Sequence, residues 1–186
     1  MTLKNLAPLC ILLLTFSNEA FSQNMSFEEY NPVSTLRVPG KEIHRAKFPF
    51  IDVHGHQYQM PTQNLSLLIA DMDKLNLAIM VNLSGGSGER INQSLENIKN
   101  HYPNRFAVFA NVDFDGVGKP GWSEKAVAQL EADIKNGAKG LKVYKSLGLR
   151  DTDSSGKRLA VDDERLSAIW EKCGELGVPV LIHSAD

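Results

Sequence analysis

From Phe48 onward, apolar runs of strand length alternate with segments whose apolar residues recur at helical spacing. The first run predicts a strand over Phe48–His54. Leu65, Leu68, Ile69, Met72 and Leu75 then share one face of a helix, and Leu77–Ser84 reads as the second strand. Ile91, Leu95 and Ile98 mark a second helix, and Arg105–Val112 a third strand. After a long loop, Ser123 is placed to cap a helix carrying Val127, Leu130 and Ile134, which Gly137 stops. Ala138–Tyr144 predicts the fourth strand. Asp162 or Asp163 caps a helix with Leu166, Ile169, Cys173 and Leu176 on one face, ended by Gly177, and Val178–His183 predicts the fifth strand.

This alternation argues for a parallel sheet covered by helices. An open doubly wound sheet and a (β/α)8 barrel of the TIM type both satisfy it. A complete barrel needs ~250 residues, and this chain has 186, ending on a strand with no covering helix. The expectation is an α/β fold: a partial barrel of five βα units over residues 48–186, the front part of a longer protein. Residues 23–47 are polar, carry Pro32 and Pro39-Gly40, and read as a lead-in arm with a short strand at Ser34–Val38.

Residues 1–22 differ from the rest. Lys4 precedes the apolar run Leu6–Phe16, and Ala20-x-Ser22 places small residues before Gln23. The pattern is that of a secretory signal peptide; the run is about half the ~20 residues of a membrane span. An exported protein follows, periplasmic or secreted, free of the membrane after cleavage. Only Cys173 of the two cysteines survives cleavage, so the mature chain has no internal disulfide. Cys173 sits on the apolar stripe of its helix and reads as a buried, inert thiol. A net charge of −2 gives no reason to expect nucleic acid as a partner. A small-molecule substrate is expected, and a homo-oligomer is compatible with the chain.

The candidate chemistry lies where strands end. His54 and His56 close the first strand two residues apart, so they share a side, with Gly55 keeping the backbone slim between them. His183 closes the fifth strand. In parallel barrels, the C-terminal strand ends carry the chemistry, and imidazoles converging there suit a divalent metal such as zinc. The other two of the five histidines, His44 and His101, lie in the arm and in a turn, and read as surface residues. Alternation within the fourth strand puts Lys142 on the side of Gly140 and Tyr144. Pointing inward, it requires a carboxylate, an anionic substrate group or carboxylation; slipped by one residue, it snorkels outward. Asp52 is a candidate acceptor for an imidazole N–H or, equally, for neighbouring backbone.

Three stretches, "FIDVHGH", "GAKGLKVYKSLGL" and "GELGVPVLIHSAD", resemble in order and spacing the amidohydrolase superfamily. More narrowly, they resemble the amidohydrolase-related group that includes aminocarboxymuconate-semialdehyde-type decarboxylases. The resemblance implies a metal-dependent barrel enzyme with His54, His56 and His183 as ligands. It implies a further histidine after the sixth strand in many members. It also implies a general-base aspartate after the eighth strand, beyond this sequence. Some members carry a carboxylated lysine on the fourth strand that bridges two metals, others a free lysine near the substrate, and Lys142 is placed for either. The expected activity is hydrolysis of an amide, ester or lactone by metal-activated water. The alternatives are non-oxidative decarboxylation within the same family and, in another class, an inactive metal-binding fragment.

Two other patterns favour bland readings. Asp151–Asp162 has nearly the spacing of a calcium loop, but a turn between short strands explains it better. Ser84–Arg90, rich in glycine, fits no phosphate-loop spacing and reads as a flexible rim loop.

Overall fold

The computed structural model describes residues 26–37, 40 and 42–184. The expected leader and its Cys10 lie outside the described residues. The chain divides into two units, Met1–Lys41 and Glu42–Asp186. In the first, Phe27–Glu29 form a single 3-10 turn. The strand expected at Ser34–Val38 does not form over Ser34–Arg37, which are exposed and belong to no strand; Val38 is outside the described residues. Among the described residues, no helix is long and apolar enough to cross a membrane.

The second unit holds the alternating elements. In order they are β1 (Phe50–Gly55), α1 (Ser66–Leu75), β2 (Leu77–Asn82), α2 (Glu89–His101), β3 (Phe106–Val108), α3 (Trp122–Asn136), β4 (Leu141–Val143), α4 (Ser146–Leu149), α5 (Ser167–Glu175) and β5 (Val180–Ile182). β1, β2 and β3 pair in sequence order, all parallel, and β4 pairs parallel with β5. A parallel bridge between Ala110 and Leu141 joins the two sheets, with Ala110 N donating to the Gly140 carbonyl and Lys142 N to the Ala110 carbonyl. The strands thus succeed one another without the reversal of a doubly wound sheet. This order is compatible with an arc of a β/α barrel.

The core lies between sheet and helices. Ile91, Leu130, Ile169 and Cys173 of the helices meet Val108, Leu141 and Val143 of the strands, all nearly inaccessible. Cys173 is buried as its helical stripe predicts, and burial raises its thiol pKa. Two expected caps are refined. Gly121, not Ser123, precedes α3. Asp163 caps a 3-10 turn, Glu164–Leu166, that leads into α5. The loop before it is a turn. Thr152 bridges Arg158 antiparallel, and Asp153 is engaged by Ser155, Lys157 and the Arg165 guanidinium.

The Ser84–Arg90 segment is pinned, contrary to the flexible loop expected. Gly86 exchanges hydrogen bonds with Asn111, and Gly88 N donates to Asp133 Oδ1 at 3.0 Å. A Cβ on Gly85 would collide with the Phe109 carbonyl and approach Val108 Cγ1 to 2.6 Å, so only glycine lets β2 leave the sheet here. Asp133, on α3, thus holds the residue that precedes α2. Its Oδ1 also accepts from Gln129, while its buried Oδ2 has no partner. Burial raises its pKa.

Gly85→Ala is expected to cost about 1–3 kcal/mol through overpacking. Gly174→Ala, in an α5 position with open space around it, should be neutral or stabilise by up to about 1 kcal/mol. Urea denaturation of both variants checks the pair. Asp133 gives a pH prediction. Its raised native pKa means that the folded chain binds the proton more tightly, so its destabilising contribution at neutral pH fades as pH falls towards the ordinary value of 3.8. Wild type should therefore gain stability relative to Asp133→Asn between pH 7 and 4, and a pH-independent difference would contradict this burial effect.

Candidate functional site

Gly55 ends β1 opposite Asn82, after an irregularity in the β1–β2 register. A Cβ there would lie 3.1 Å from Met80 Cγ and 3.2 Å from the Val81 carbonyl, so the close strand approach between the two histidines favours glycine. Beyond it, the chain is held by Asn82, whose buried amide accepts from Gln57 N (2.9 Å) and Ser84 N (3.0 Å) and donates to the Gln57 carbonyl (3.2 Å). This clamp sets His56 against Ser84. His56 Nδ1 lies 2.7 Å from Ser84 Oγ, which leaves Nε2 as the ring nitrogen open to a ligand.

His54 and His56 come together, with ring centroids 5.2 Å apart and edge to face. Tyr58 stacks on His56 at 5.8 Å, and Tyr144 at 6.2 Å. Asp52 Oδ1 accepts from His54 N at 2.9 Å; its observed partner is backbone, not an imidazole. His183 follows β5, its N–H donating to the Val143 carbonyl. It lies near enough to act electrostatically on His56. Among the described residues, no group of three His, Cys, Asp or Glu side chains closes round a single metal position. The structure thus brings His54 and His56 together, with His183 nearby but not in a closed triad. The pair's chemistry, two imidazoles with one ring anchored through Nδ1 to Ser84 Oγ, fits a divalent cation. Burial first, then His54, Lys142 and His183, lowers the His56 pKa, which favours the neutral ring that a metal requires. His44 and His101 are exposed; His44 sits 3.4 Å from Glu42, and His101 Nδ1 lies 2.9 Å from the Asn97 carbonyl.

Lys142, at the centre of β4, is 1 % exposed, and its Nζ has no hydrogen-bond partner. It faces a cavity of about 150 Å³ lined also by Asp113, Phe114, Asp115, Tyr144 and Asp151. Its ammonium lies 6.0 Å from the Tyr144 ring centre. Burial lowers its pKa. Asn111 holds the neighbouring backbone, donating to the Leu83 and Lys142 carbonyls at 3.2 and 3.1 Å.

The amidohydrolase family model matches residues 51–185. The chain belongs to the amidohydrolase family. No curated protein matches it. Amidohydrolases generally use divalent metals, which agrees with the histidine pair at the β1 exit. Sequence reasoning missed Asn82, Ser84 and Asn111, and gave Tyr144 a side but no role. The available signal was polar residues, Asn82 and Asn111, inside or directly after apolar β runs, where a buried amide must find partners.

Replacing Lys142 by Met keeps the volume and removes an unpartnered charge. Lys142→Met is therefore expected to stabilise the metal-free protein by about 1–3 kcal/mol. A lower denaturation midpoint than wild type would show that the ammonium is satisfied in solution.

Proposed function

We propose that this amidohydrolase is a metal-dependent hydrolase acting on an amide, ester or lactone. The observation that carries the reading is His56, whose Nδ1 is taken by Ser84 at 2.7 Å while His54 stands beside it. His54 and His56 would hold a divalent ion, zinc being the one that imidazoles at a strand end suit, and His183 would add a third nitrogen. When bound, such an ion polarises a carbonyl and acidifies water. The chain's own side chains orient the substrate. Tyr58 and Tyr144 flank His56, and the Lys142 ammonium faces the adjoining cavity, ready for an anionic group.

The arc belongs, in this reading, to an eight-stranded barrel. Ile51 and Val53 of β1 are 54 % and 62 % exposed, and Ile182 of β5 is 39 % exposed. A closed barrel covers such apolar strand faces. The general base would then be an aspartate on a later strand, as the family resemblance implies. The leader-like pattern of residues 1–22 supports an enzyme outside the cytoplasm. A second reading is favoured by Lys142. A lone ammonium suits a substrate carboxylate, and with it non-oxidative decarboxylation.

The test combines metal analysis and product assay. After dialysis against zinc, the wild-type protein should retain the ion. His54→Ala and His56→Ala should weaken retention by more than the about 10–100-fold that loss of an outer partner costs. A panel of amides, esters and lactones should give chelator-sensitive hydrolysis by the full-length gene product. Release of carbon dioxide from an unsaturated or aromatic acid, with no hydrolysis of the panel, would replace the first reading by the second. Unchanged zinc retention in both variants would remove the histidine pair from either.

A further inference from the structure

We propose that Ser84 and Tyr144 are positioning residues that fix the His56 ring with its proton on Nδ1, through a one-way chain of hydrogen bonds ending on the Leu83 carbonyl. The inference rests on the reading of His56 as a ligand, and extends it to the side chains that hold its ring.

The distances define the chain. His56 Nδ1 lies 2.7 Å from Ser84 Oγ, Ser84 Oγ 2.9 Å from Tyr144 Oη, and Tyr144 Oη 3.1 Å from the Leu83 carbonyl oxygen. Each hydroxyl has one proton to give, and a carbonyl can only accept. If Tyr144 donates to Leu83, its oxygen is free to accept from Ser84, and Ser84 then accepts from His56 Nδ1–H. All three contacts become hydrogen bonds. In the opposite sense, Tyr144 donates to Ser84 and Ser84 to His56. The Tyr144–Leu83 contact then has no proton, and two bonds remain. The first sense makes the most of groups already held in place, and aligned bonds strengthen one another.

The anchors are rigid. Ser84 is 4 % exposed, and its own N–H is fixed by Asn82 Oδ1 at 3.0 Å. The Leu83 carbonyl is also held by Asn111 Nδ2 at 3.2 Å. Tyr144 leaves β4 directly after Val143, so the chain ties the β1 exit to the β4 exit through the end of β2. The consequence lies at the other ring nitrogen: with the proton on Nδ1, Nε2 keeps its lone pair and faces away from the chain.

The test reads the tautomer directly. In ¹⁵N-histidine spectra of the metal-free protein at neutral pH, His56 should carry its proton on Nδ1. In Tyr144→Phe, the Ser84 hydroxyl is released to donate to Nδ1, and the ring should move to the Nε2–H form. Ser84→Ala should lose the preference, and Ser84→Thr, which keeps a hydroxyl, should restore it. Zinc affinity, measured by chelator competition, should fall about 10–100-fold in Tyr144→Phe and Ser84→Ala, and recover in Ser84→Thr. An Nε2–H ring in the wild type, or an unchanged tautomer in Tyr144→Phe, overturns the inference. Wild-type zinc binding that both Tyr144→Phe and Ser84→Ala keep unaltered overturns it too, while leaving the proposed function standing. A wild type that binds no zinc removes the proposed function, and the tautomer spectra still decide the hydrogen-bond chain.

Discussion

The rim of this fold depends on two side-chain amides that stitch strand exits together. Parallel strands end in mid-air: beyond the last ladder bond, backbone N–H and C=O groups need other partners. Asn82, wholly buried, supplies them between the β1 and β2 exits by holding both polar backbone groups of Gln57 and the N–H of Ser84. Asn111 does the same one strand further on, joining Gly86, Leu83 and Lys142. An isolated H-x-H leaves two imidazoles free to turn. With Asn82 in place, the backbone around His56 is fixed, Ser84 Oγ stands at a set distance from its ring, and Tyr144 can reach across from β4. The backbone beside His56 and at Lys142 is held by these amides.

Much of the architecture was legible because periodicity reports burial. The five strands and the four helices between them read from residue 48 onward exist, with ends shifted by a few residues, whereas the short strands expected around Asp151–Asp162 shrink to one bridge between Thr152 and Arg158, and α4 was not foreseen. β3 and β4 are short because regular pairing gives way to single bridging contacts, of the kind that joins Ala110 to Leu141. That is a property of neighbouring strands, invisible in one strand's pattern. The glycine segment after β2 misled for a related reason. Glycine spacing suggests freedom, but Gly85 is there because Phe109 and Val108 leave no room for a Cβ, and its neighbours spend their N–H groups on Asn111 and Asp133. The strand-end histidines and Lys142 could be singled out by residue type and parity. Asn82, Ser84 and Asn111 could not, because an amide or hydroxyl gains its role only from the strand beside it, 25 or more residues away in the chain.

Among the described residues, two buried side-chain atoms lack partners, Asp133 Oδ2 and Lys142 Nζ, and their settings differ. Asp133 has an evident structural use. One oxygen accepts from Gly88 N, just before α2, and from Gln129, so the second is left over from a carboxylate employed at one of its two ends. Desolvation is offset in part by these two hydrogen bonds.

Lys142 has no such offset. Its backbone is used fully, through Ala110 and Asn111, yet its ammonium has nothing to bond to, although Asp113, Asp115 and Asp151 line the same cavity. These carboxylates share the cavity wall without pairing with the ammonium, and burial alone sets its pKa. Asp113 instead accepts from Asp115 N at 2.9 Å and so is committed to its own loop. The surrounding rim satisfies its buried amides and hydroxyls with care, so careless packing does not account for one orphan at its centre. Departures from local rules concentrate where a site requires them. In the proposed function the unpaired Lys142 ammonium stands ready for an anionic group that enters the cavity; its burial disfavours the free charge, and such a group would restore it, whereas a salt bridge in the free protein would have taken it up beforehand.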